Sequence, residues 1–200
     1  MSWTQKKRAA IISRCLGPRI TGGKRVLDVG CGNGEVSLYL QDELGLDLHG
    51  TDIIDYRKTS NARLKFTLME GKDEIPFGDR AFDIVMFCDV LHHMEDIESI
   101  LLEGRRVASE GIFVFEDCES TLLKAVDLGL NFAYCRNMPC PLNFKTREEW
   151  TALFEKLGFS FETLDPGYPF WYPFRHMAFR ILLDPENRIL EDGSNAGDHG

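Results

Sequence analysis

Three alternate glycines, Gly30, Gly32 and Gly34, follow the β-rich run 25–29. Glycines at this spacing let a backbone turn tightly and approach a ligand closely. A dinucleotide fingerprint, GxGxxG, would place its third glycine at position 35, where this chain has Glu35. The Gly-Lys-Ser or Gly-Lys-Thr ending of a phosphate-binding P-loop is also absent. The loop therefore has the form of a ligand-binding turn but matches neither of these phosphate motifs.

Acidic residues surround this glycine loop. Asp28 and Glu35 flank it and would repel a pyrophosphate, whereas a nucleoside with a cationic tail would be favoured there. For Glu35 alone, compensation of the helix dipole is an equally good explanation. Asp52 follows the second β-rich run, 22 residues after Gly30, where a carboxylate can accept hydrogen bonds from both hydroxyls of a ribose. Together the loop and Asp52 predict a nucleoside site.

Further reactive side chains follow the apolar run 82–88. They are Cys88, Asp89, His92 and His93. Imidazole titrates near neutral pH, so His92 or His93 could act as a general base, and Asp89 is another candidate. The alternative for both histidines is packing at the start of the next helix. Cys88 could in principle attack a pyrimidine, although a buried thiol at a strand end is the simpler interpretation.

The elements that must position these residues alternate between strand-like and helix-like segments. Strands are predicted at 25–29, 47–52, 64–69, 82–88, 111–116, 159–164 and 176–183, and helices at 2–16, 35–41, 95–108 and 146–157. This alternation predicts an α/β fold with a doubly wound parallel sheet. Ligands of such sheets bind outside the carboxyl ends of the strands, which is where the residues above lie.

Charge is distributed unevenly along the chain. The formal net charge is −9, yet residues 1–25 contain seven basic and no acidic side chains. Residues 1–19 are predicted to form a basic amphipathic helix, with Trp3, Ala10, Ile11 and Cys15 on its apolar face, that serves as a lid or docking element. We favour a helix docked on the acidic body over a contact with nucleic acid, which the negative net charge makes unlikely.

The remaining features indicate an intracellular domain without metal. No secretion signal is recognisable, because the apolar run 9–12 is too short, and no stretch approaches the roughly 18 apolar residues that span a bilayer. We therefore expect a soluble, cytoplasmic protein. Six cysteines at irregular spacing, without a CxxC pair, predict free thiols and no metal site. Residues 184–200 are predicted to be an acidic, disordered tail.

Several strings of residues resemble one family. Val26–Gly34, Val-Leu-Asp-Val-Gly-Cys-Gly-Asn-Gly, strongly resembles motif I of the class I S-adenosylmethionine-dependent methyltransferases. Ile75–Phe77 followed by Phe82–Val85 is similar to the LPF and FDxV segment of that family. Leu91–His93 resembles its small-molecule subgroup, which includes ubiquinone-biosynthesis-like enzymes. The resemblance covers residues 20–183, as one domain with an acceptor-site insertion at about 117–145.

The resemblance implies a Rossmann-like, mostly parallel seven-stranded sheet with helices on both faces and an antiparallel last strand. It also implies S-adenosylmethionine as cofactor and a set of binding residues: Asp28, Gly30, Cys31, Gly32 and Asn33 near the methionine portion, Asp52 at the ribose, Ile53 against the adenine, and Cys88 and Asp89 flanking the methionine end. The family usually has an Asp five residues before the LPF proline to meet the adenine amino group. Here that position is Gly71, and Asp73 or backbone near Lys72 is the expected substitute.

Two segments are predicted to shape an acceptor site. Residues 117–145 contain Tyr134, and residues 167–176 contain five aromatic side chains, including Tyr168 and Trp171, and end at His176. Such a segment could wall a pocket for a flat or apolar acceptor, or could equally cover the core or contact a second copy. His176 is a further candidate base.

The resulting hypothesis is an enzyme that methylates an O, N or C atom of a small molecule. One alternative is an RNA or protein methyltransferase that uses the basic N-terminus. Another is a non-catalytic module that binds S-adenosylmethionine or a partner.

Overall fold

The computed structural model describes residues 1–117, 143–168 and 176–183. Seven strands in these residues form one sheet in the order β3-β2-β1-β4-β5-β7-β6. Their neighbours pair in parallel except β7, which is antiparallel to both β5 and β6. The predicted fold class, including the antiparallel last strand, is confirmed. The strands are β1 Arg25–Val29, β2 Asp47–Asp52, β3 Lys65–Leu68, β4 Phe82–Cys88, β5 Ala108–Asp117, β6 Ser160–Leu164 and β7 His176–Leu182.

Four α-helices lie in the described residues: α1 Trp3–Leu16, α2 Glu35–Leu44, α3 Ile97–Val107 and α4 Arg147–Lys156. Both α1 and α4 begin with a capping box, which at α4 is formed by Thr146 and Glu149. Short 3₁₀ turns include Leu91–His93, which begins three residues after the end of β4. Within the described ranges, no helix combines the length and the apolar composition that a membrane crossing needs.

The core has two layers, one on each face of the sheet. Val85 and Phe87 of β4 pack into an apolar cluster with α3 and α4. The alternate residues Ile84 and Met86 pack into a second cluster with α1 and α2. Because side chains alternate across a strand, β4 must be apolar on both faces, which explains its nearly continuous apolar sequence.

The predicted apolar face of α1 is partly wrong. Ile11 and Cys15 are buried as expected, but Trp3 is 59% exposed, and Ala9 and Ile12 are fully buried instead. Eight residues at 100° each place Trp3 about 80° around the helix from Ile11, so both cannot face the sheet squarely. The Lys7 ammonium lies 5.9 Å from the Trp3 ring on the outer side of the helix.

The basic N-terminal segment is largely engaged with the body. Arg19 pairs with Glu162, Arg25 with Asp83, and Lys24 with Glu110. The role of residues 1–19 as a lid or docking element remains a prediction. The predicted insertion at about 117–145 falls mostly, and the predicted tail at 184–200 wholly, outside the described residues.

The strand order creates a crevice beside β1. The chain passes from β1 to β2 and β3 on one side and then returns to β4 on the other, so the carboxyl ends of β1 and β4 border the switch point. The glycine loop 30–34 turns there. Gly30 has φ of 73°, and a Cβ on it would lie 2.2 Å from Cγ2 of Val90 in the turn after β4. Only glycine therefore allows these two turns to touch.

We expect Gly30→Ala to destabilise the protein more than Gly32→Ala. Both residues have positive φ, which costs a non-glycine residue about 1–2 kcal/mol. A Cβ on Gly32 meets nothing within 4 Å, whereas a Cβ on Gly30 overlaps Val90, which adds about 1–3 kcal/mol of overpacking. Urea unfolding of both variants measures the difference, and equal losses would show that Val90 moves aside without cost.

Candidate functional site

The glycine loop is tied to the end of β2. The N–H groups of Gly30 and Cys31 both donate to the carbonyl of Thr51, at 2.8 and 3.2 Å. The N–H of Gly32 donates to Oδ2 of Asp52 at 2.9 Å. Burial raises the pKa of Asp52, while this and other backbone hydrogen bonds oppose the rise. The structure therefore brings together the loop and the carboxylate that the sequence predicts for one nucleoside site.

Asp28 lies beneath the loop and is only 3% exposed. Its Oδ2 accepts a hydrogen bond of 2.6 Å from Oγ of Ser37, which anchors the start of α2. Burial raises its pKa to about 6, although Ser37 and Arg8 act in the opposite direction. A buried carboxylate whose charge is so poorly compensated would be stabilised by a nearby cation.

The other predicted cofactor residues of the loop have identifiable packing roles. The Asn33 side chain accepts a hydrogen bond from the Glu35 N–H at 3.1 Å, and so satisfies one amide at the start of α2. Cys31 packs so closely on Gly50 that a Cβ there would lie 2.6 Å from its sulfur. Burial raises the pKa of the Cys31 thiol, so it is a neutral packing group.

The predicted adenine side is less complete. Ile53 is partly buried against the core cluster on the α3 side. Asp73 lies in the lining of an open cavity of about 730 Å³ between residues 73–78 and α3, and that lining includes no residue of the glycine loop. Asp73 as the substitute adenine contact therefore remains a prediction.

Arg8 is a residue that the sequence analysis did not assign to the site. Its Nη2 donates to the Cys88 carbonyl at 2.8 Å, and its Nε lies 2.6 Å from Oδ2 of Asp89. Helix α1 thus places a guanidinium at the carboxyl end of β4. Helical periodicity could have indicated that Arg8 faces the sheet, because Arg8 precedes the buried residues Ile11, Ile12 and Cys15 by three, four and seven positions.

Asp89 occupies a special backbone position, with φ of 53°. Its N–H donates to the Phe115 carbonyl at 2.8 Å, and this turn places its side chain between Arg8 and His176. Burial alone would raise the pKa of Asp89, but Arg8 and His176 outweigh burial and hold the pKa far below its usual value. A carboxylate stabilised in this way is a poor general base, which weakens the prediction for Asp89.

His176 lies at the start of β7 in a buried charged cluster. Its Nε2 is 2.9 Å from Oδ1 of Asp117 and 3.4 Å from Oδ1 of Asp89, and its Nδ1 is 3.0 Å from the hydroxyl of Tyr168. Burial lowers its pKa, but the two carboxylates more than compensate and raise it to about 9. His176 is thus a cation at neutral pH, and the prediction that it acts as a base is weakened.

The predicted acceptor residues are only partly described. The structure brings Tyr168 and His176 together, as the sequence suggested, whereas Tyr134 and Trp171 lie outside the described residues.

Ligand atoms of Asp89, Asp117 and His176 lie within 4.8 Å of one another, a spacing at which a metal could be held. Because Arg8 and protonated His176 already balance the two carboxylates, the charge of this cluster does not call for an ion.

The two adjacent histidines after β4 differ in their surroundings. His92 is 3% exposed, its Nδ1 is 2.6 Å from Oε2 of Glu116, and its ring stacks on Phe144 at 4.7 Å. These contacts favour the structural alternative for His92. His93 is partly exposed, with its ring centroid 3.9 Å from that of His92, so it remains the better candidate base.

Burial raises the pKa of the Cys88 thiol well above its ordinary value, which argues against a nucleophilic thiolate at this position.

Carboxylates therefore dominate the carboxyl edge of the sheet. They come from β1, β2, the turn after β4, and β5: Asp28, Asp52, Asp89, Glu116 and Asp117. Arg8 and His176 offset the charge on the β4 and β5 side, but no ion pair within the described residues involves Asp28 or Asp52. The β1 and β2 side thus fits a nucleoside whose tail carries positive charge, and disfavours a polyphosphate.

We expect the free energy of unfolding to fall between pH 6.5 and 9 because of His176. The pKa of His176 is about 9 in the folded protein, against an ordinary value of 6.5 that applies to the unfolded chain. Its contribution to the free energy of unfolding is therefore full below pH 6.5 and is lost as the pH rises through 9. The loss should approach about 3 kcal/mol.

Urea unfolding across this pH range measures the effect. In His176→Gln the corresponding slope should be absent. The matched control is His49→Gln, because burial lowers the pKa of His49 and its titration lies below this window. An unchanged slope in His176→Gln would contradict the assignment of His176 as the cation of this cluster.

Comparisons with known proteins agree with this geometry. A family model described as a methyltransferase domain matches residues 2–164. A fatty-acid O-methyltransferase of Mycolicibacterium smegmatis is 36% identical over 103 residues, covering 48% of this chain and 37% of that protein. A ubiquinone biosynthesis O-methyltransferase of Rhizobium etli is 26% identical over 121 residues, covering 56% of this chain and 48% of that protein.

A solved structure shows the same fold over most of the chain. It is a SAM-dependent methyltransferase from Aquifex aeolicus, with a TM-score of 0.65 and 16% identity, covering 91% of this chain and 94% of that one. The curated relatives are matched over a smaller part, since the first three are covered over 37 to 56% of their length. From the matched domain, the motif I loop and the sheet, the chain belongs to the class I S-adenosylmethionine-dependent methyltransferases.

Proposed function

We propose that this protein transfers the methyl group of S-adenosylmethionine to an O, N or C atom of a small, apolar or aromatic acceptor. The observation that carries the proposal is the joining of the glycine loop to Asp52, beside a buried and poorly compensated Asp28. The relatives named as O-methyltransferases support the reaction class.

The site residues fit this cofactor in charge and shape. Asp52 is assigned to the ribose hydroxyls and Ile53 to the adenine. The glycine loop, with Asp28 beneath it, is assigned to the cationic methionine portion, and Cys88 and Asp89 flank its far end. Arg8 reaches the same end, where it pairs with Asp89 and donates to the Cys88 carbonyl.

The cofactor, when bound, supplies an activated methyl group on a positively charged sulfur. The task of the protein is then to orient the acceptor and to exclude water. Helix α1 contributes to both, because its inner face closes over the carboxyl end of β4 while Arg8 balances Asp89. A base is needed only for an acceptor that must lose a proton, and His93 is the residue we assign to that step.

The acceptor is assigned to the two predicted segments, residues 117–145 and 167–176. Of the residues proposed there, Tyr168 and His176 belong to the described part of the chain, whereas Tyr134 and Trp171 do not. The fatty-acid and ubiquinone relatives support an apolar or aromatic acceptor.

An RNA substrate is not favoured, because Arg8, Arg19, Lys24 and Arg25 of the basic N-terminal segment are held in ion pairs with the body. A non-catalytic module that binds the cofactor or a partner is the remaining alternative. Release of S-adenosylhomocysteine with a broad acceptor panel would exclude it.

Asp52→Ala should weaken binding of S-adenosylmethionine and S-adenosylhomocysteine by roughly 10- to 100-fold, because hydrogen bonds to a charged group are lost. Calorimetry on the folded variant measures this. Asp55→Ala, which removes a nearby exposed carboxylate paired with Arg57, is the matched control and should bind as the parent does. A folded parent that binds neither compound would overturn the proposed function.

A further inference from the structure

Glu116, near the end of β5, is a buried acid that lies outside both the glycine loop and the set of candidate bases. It is 1% exposed. Its Oε1 accepts hydrogen bonds from the N–H groups of Val90 and Leu91, at 2.8 and 2.7 Å, and its Oε2 lies 2.6 Å from Nδ1 of His92. One carboxylate thus binds three consecutive residues of the turn after β4.

That turn is in contact with the glycine loop. Val90 packs so closely on Gly30 that a Cβ there would overlap it, so a displacement of Val90 must displace the loop or open a gap beside it. The other side of the turn is also fixed, because the Asn143 N–H donates to the His92 carbonyl at 2.9 Å and the His92 ring stacks on Phe144. Glu116 is therefore a side-chain link from β5 to the turn that borders the crevice, beside the backbone hydrogen bond from Asp89 to Phe115.

The contacts also define the protonation of His92. A carboxylate only accepts hydrogen bonds, so the 2.6 Å contact requires a proton on Nδ1 of His92. The ring orientation is then set by Glu116 on one edge and Phe144 on one face, and His93 lies against the same ring, at 3.9 Å between centroids. The position of His93 therefore depends on Glu116 through His92.

We propose that Glu116 is a positioning residue of the cofactor site, which holds the Val90–His93 turn against the glycine loop and fixes the Nδ1-protonated form of His92. The assignment rests on the proposed function, since it takes this crevice to be the S-adenosylmethionine site. Glu116 does not itself contact the cofactor in this account. It acts through Val90 and His92.

The test uses Glu116→Gln in the full chain. The glutamine oxygen can still accept from Val90 and Leu91, but its amide then faces His92 with a donor, so the proton of His92 should move to Nε2. We expect S-adenosylhomocysteine to bind roughly tenfold more weakly by calorimetry, as for the loss of one hydrogen bond to a charged group. Nitrogen NMR with ¹⁵N-histidine should show the change of tautomer, with the His92 signal assigned from the His92→Gln spectrum.

Asp83→Asn is the matched control. Asp83 also accepts from a backbone N–H and a side-chain cation, both of Arg25, at 2.8 and 2.7 Å, but it lies at the amino end of β4. This variant should lose thermal stability and retain the parent's affinity and His92 tautomer. If Glu116→Gln behaves in the same way, Glu116 is merely structural and the proposal is overturned.

The parent protein provides a second measurement in case Glu116→Gln does not fold. Its His92 must carry a proton on Nδ1, and that signal must shift when S-adenosylhomocysteine saturates the protein. An unprotonated Nδ1, or a signal that the ligand leaves unchanged, would overturn the role of Glu116. A parent that binds no S-adenosylhomocysteine would instead overturn the proposed function together with this assignment, which separates the two failures.

Discussion

The constraint on which this structure depends is the gathering of several buried and partly buried carboxylates at one edge of a parallel sheet. Asp28, Asp52, Asp89, Glu116 and Asp117 lie at or near the carboxyl ends of their strands, where parallel topology brings them together. Buried like charges are costly unless cations, hydrogen-bond donors or a ligand offset them. The surrounding elements can be understood as the means by which each carboxylate is compensated.

The compensation differs across the edge. On the β4 and β5 side it is internal, since α1 supplies Arg8, β7 supplies His176, and the turn after β4 supplies the amides that Glu116 binds. On the β1 and β2 side it is incomplete, since Asp28 retains a raised pKa despite Ser37 and Arg8. This asymmetry explains why the β4 and β5 side needs no added charge, whereas the β1 and β2 side is suited to a ligand with positive charge.

Local sequence patterns predicted the parts of the site that lie close together along the chain. The bounds of β1, β2 and β4 agree with the predicted runs, and the glycine loop meets Asp52 as its spacing suggested. Such patterns succeed because strand ends, glycine turns and helix caps are set by neighbouring residues.

Long-range pairings could not be obtained in this way. Periodicity places Arg8 on the inner face of α1 but does not say that Asp89 lies opposite. Likewise, Glu116 at the end of an apolar strand gives no indication that it binds His92, and Trp3 was assigned to the wrong face because the sheet decides which helical stripe is buried. Ion pairs between distant segments follow from the fold rather than from local sequence.

The most direct test of the account is the pKa of the Asp28 carboxyl, followed by ¹³C NMR with and without S-adenosylmethionine. We expect a pKa of about 6 in the free protein, because burial outweighs Ser37 and Arg8, and a clear fall when the cationic ligand binds. A normal pKa in the free protein, or one that the bound ligand leaves unchanged, would contradict the claim that uncompensated charge at this edge prepares the site for its cofactor.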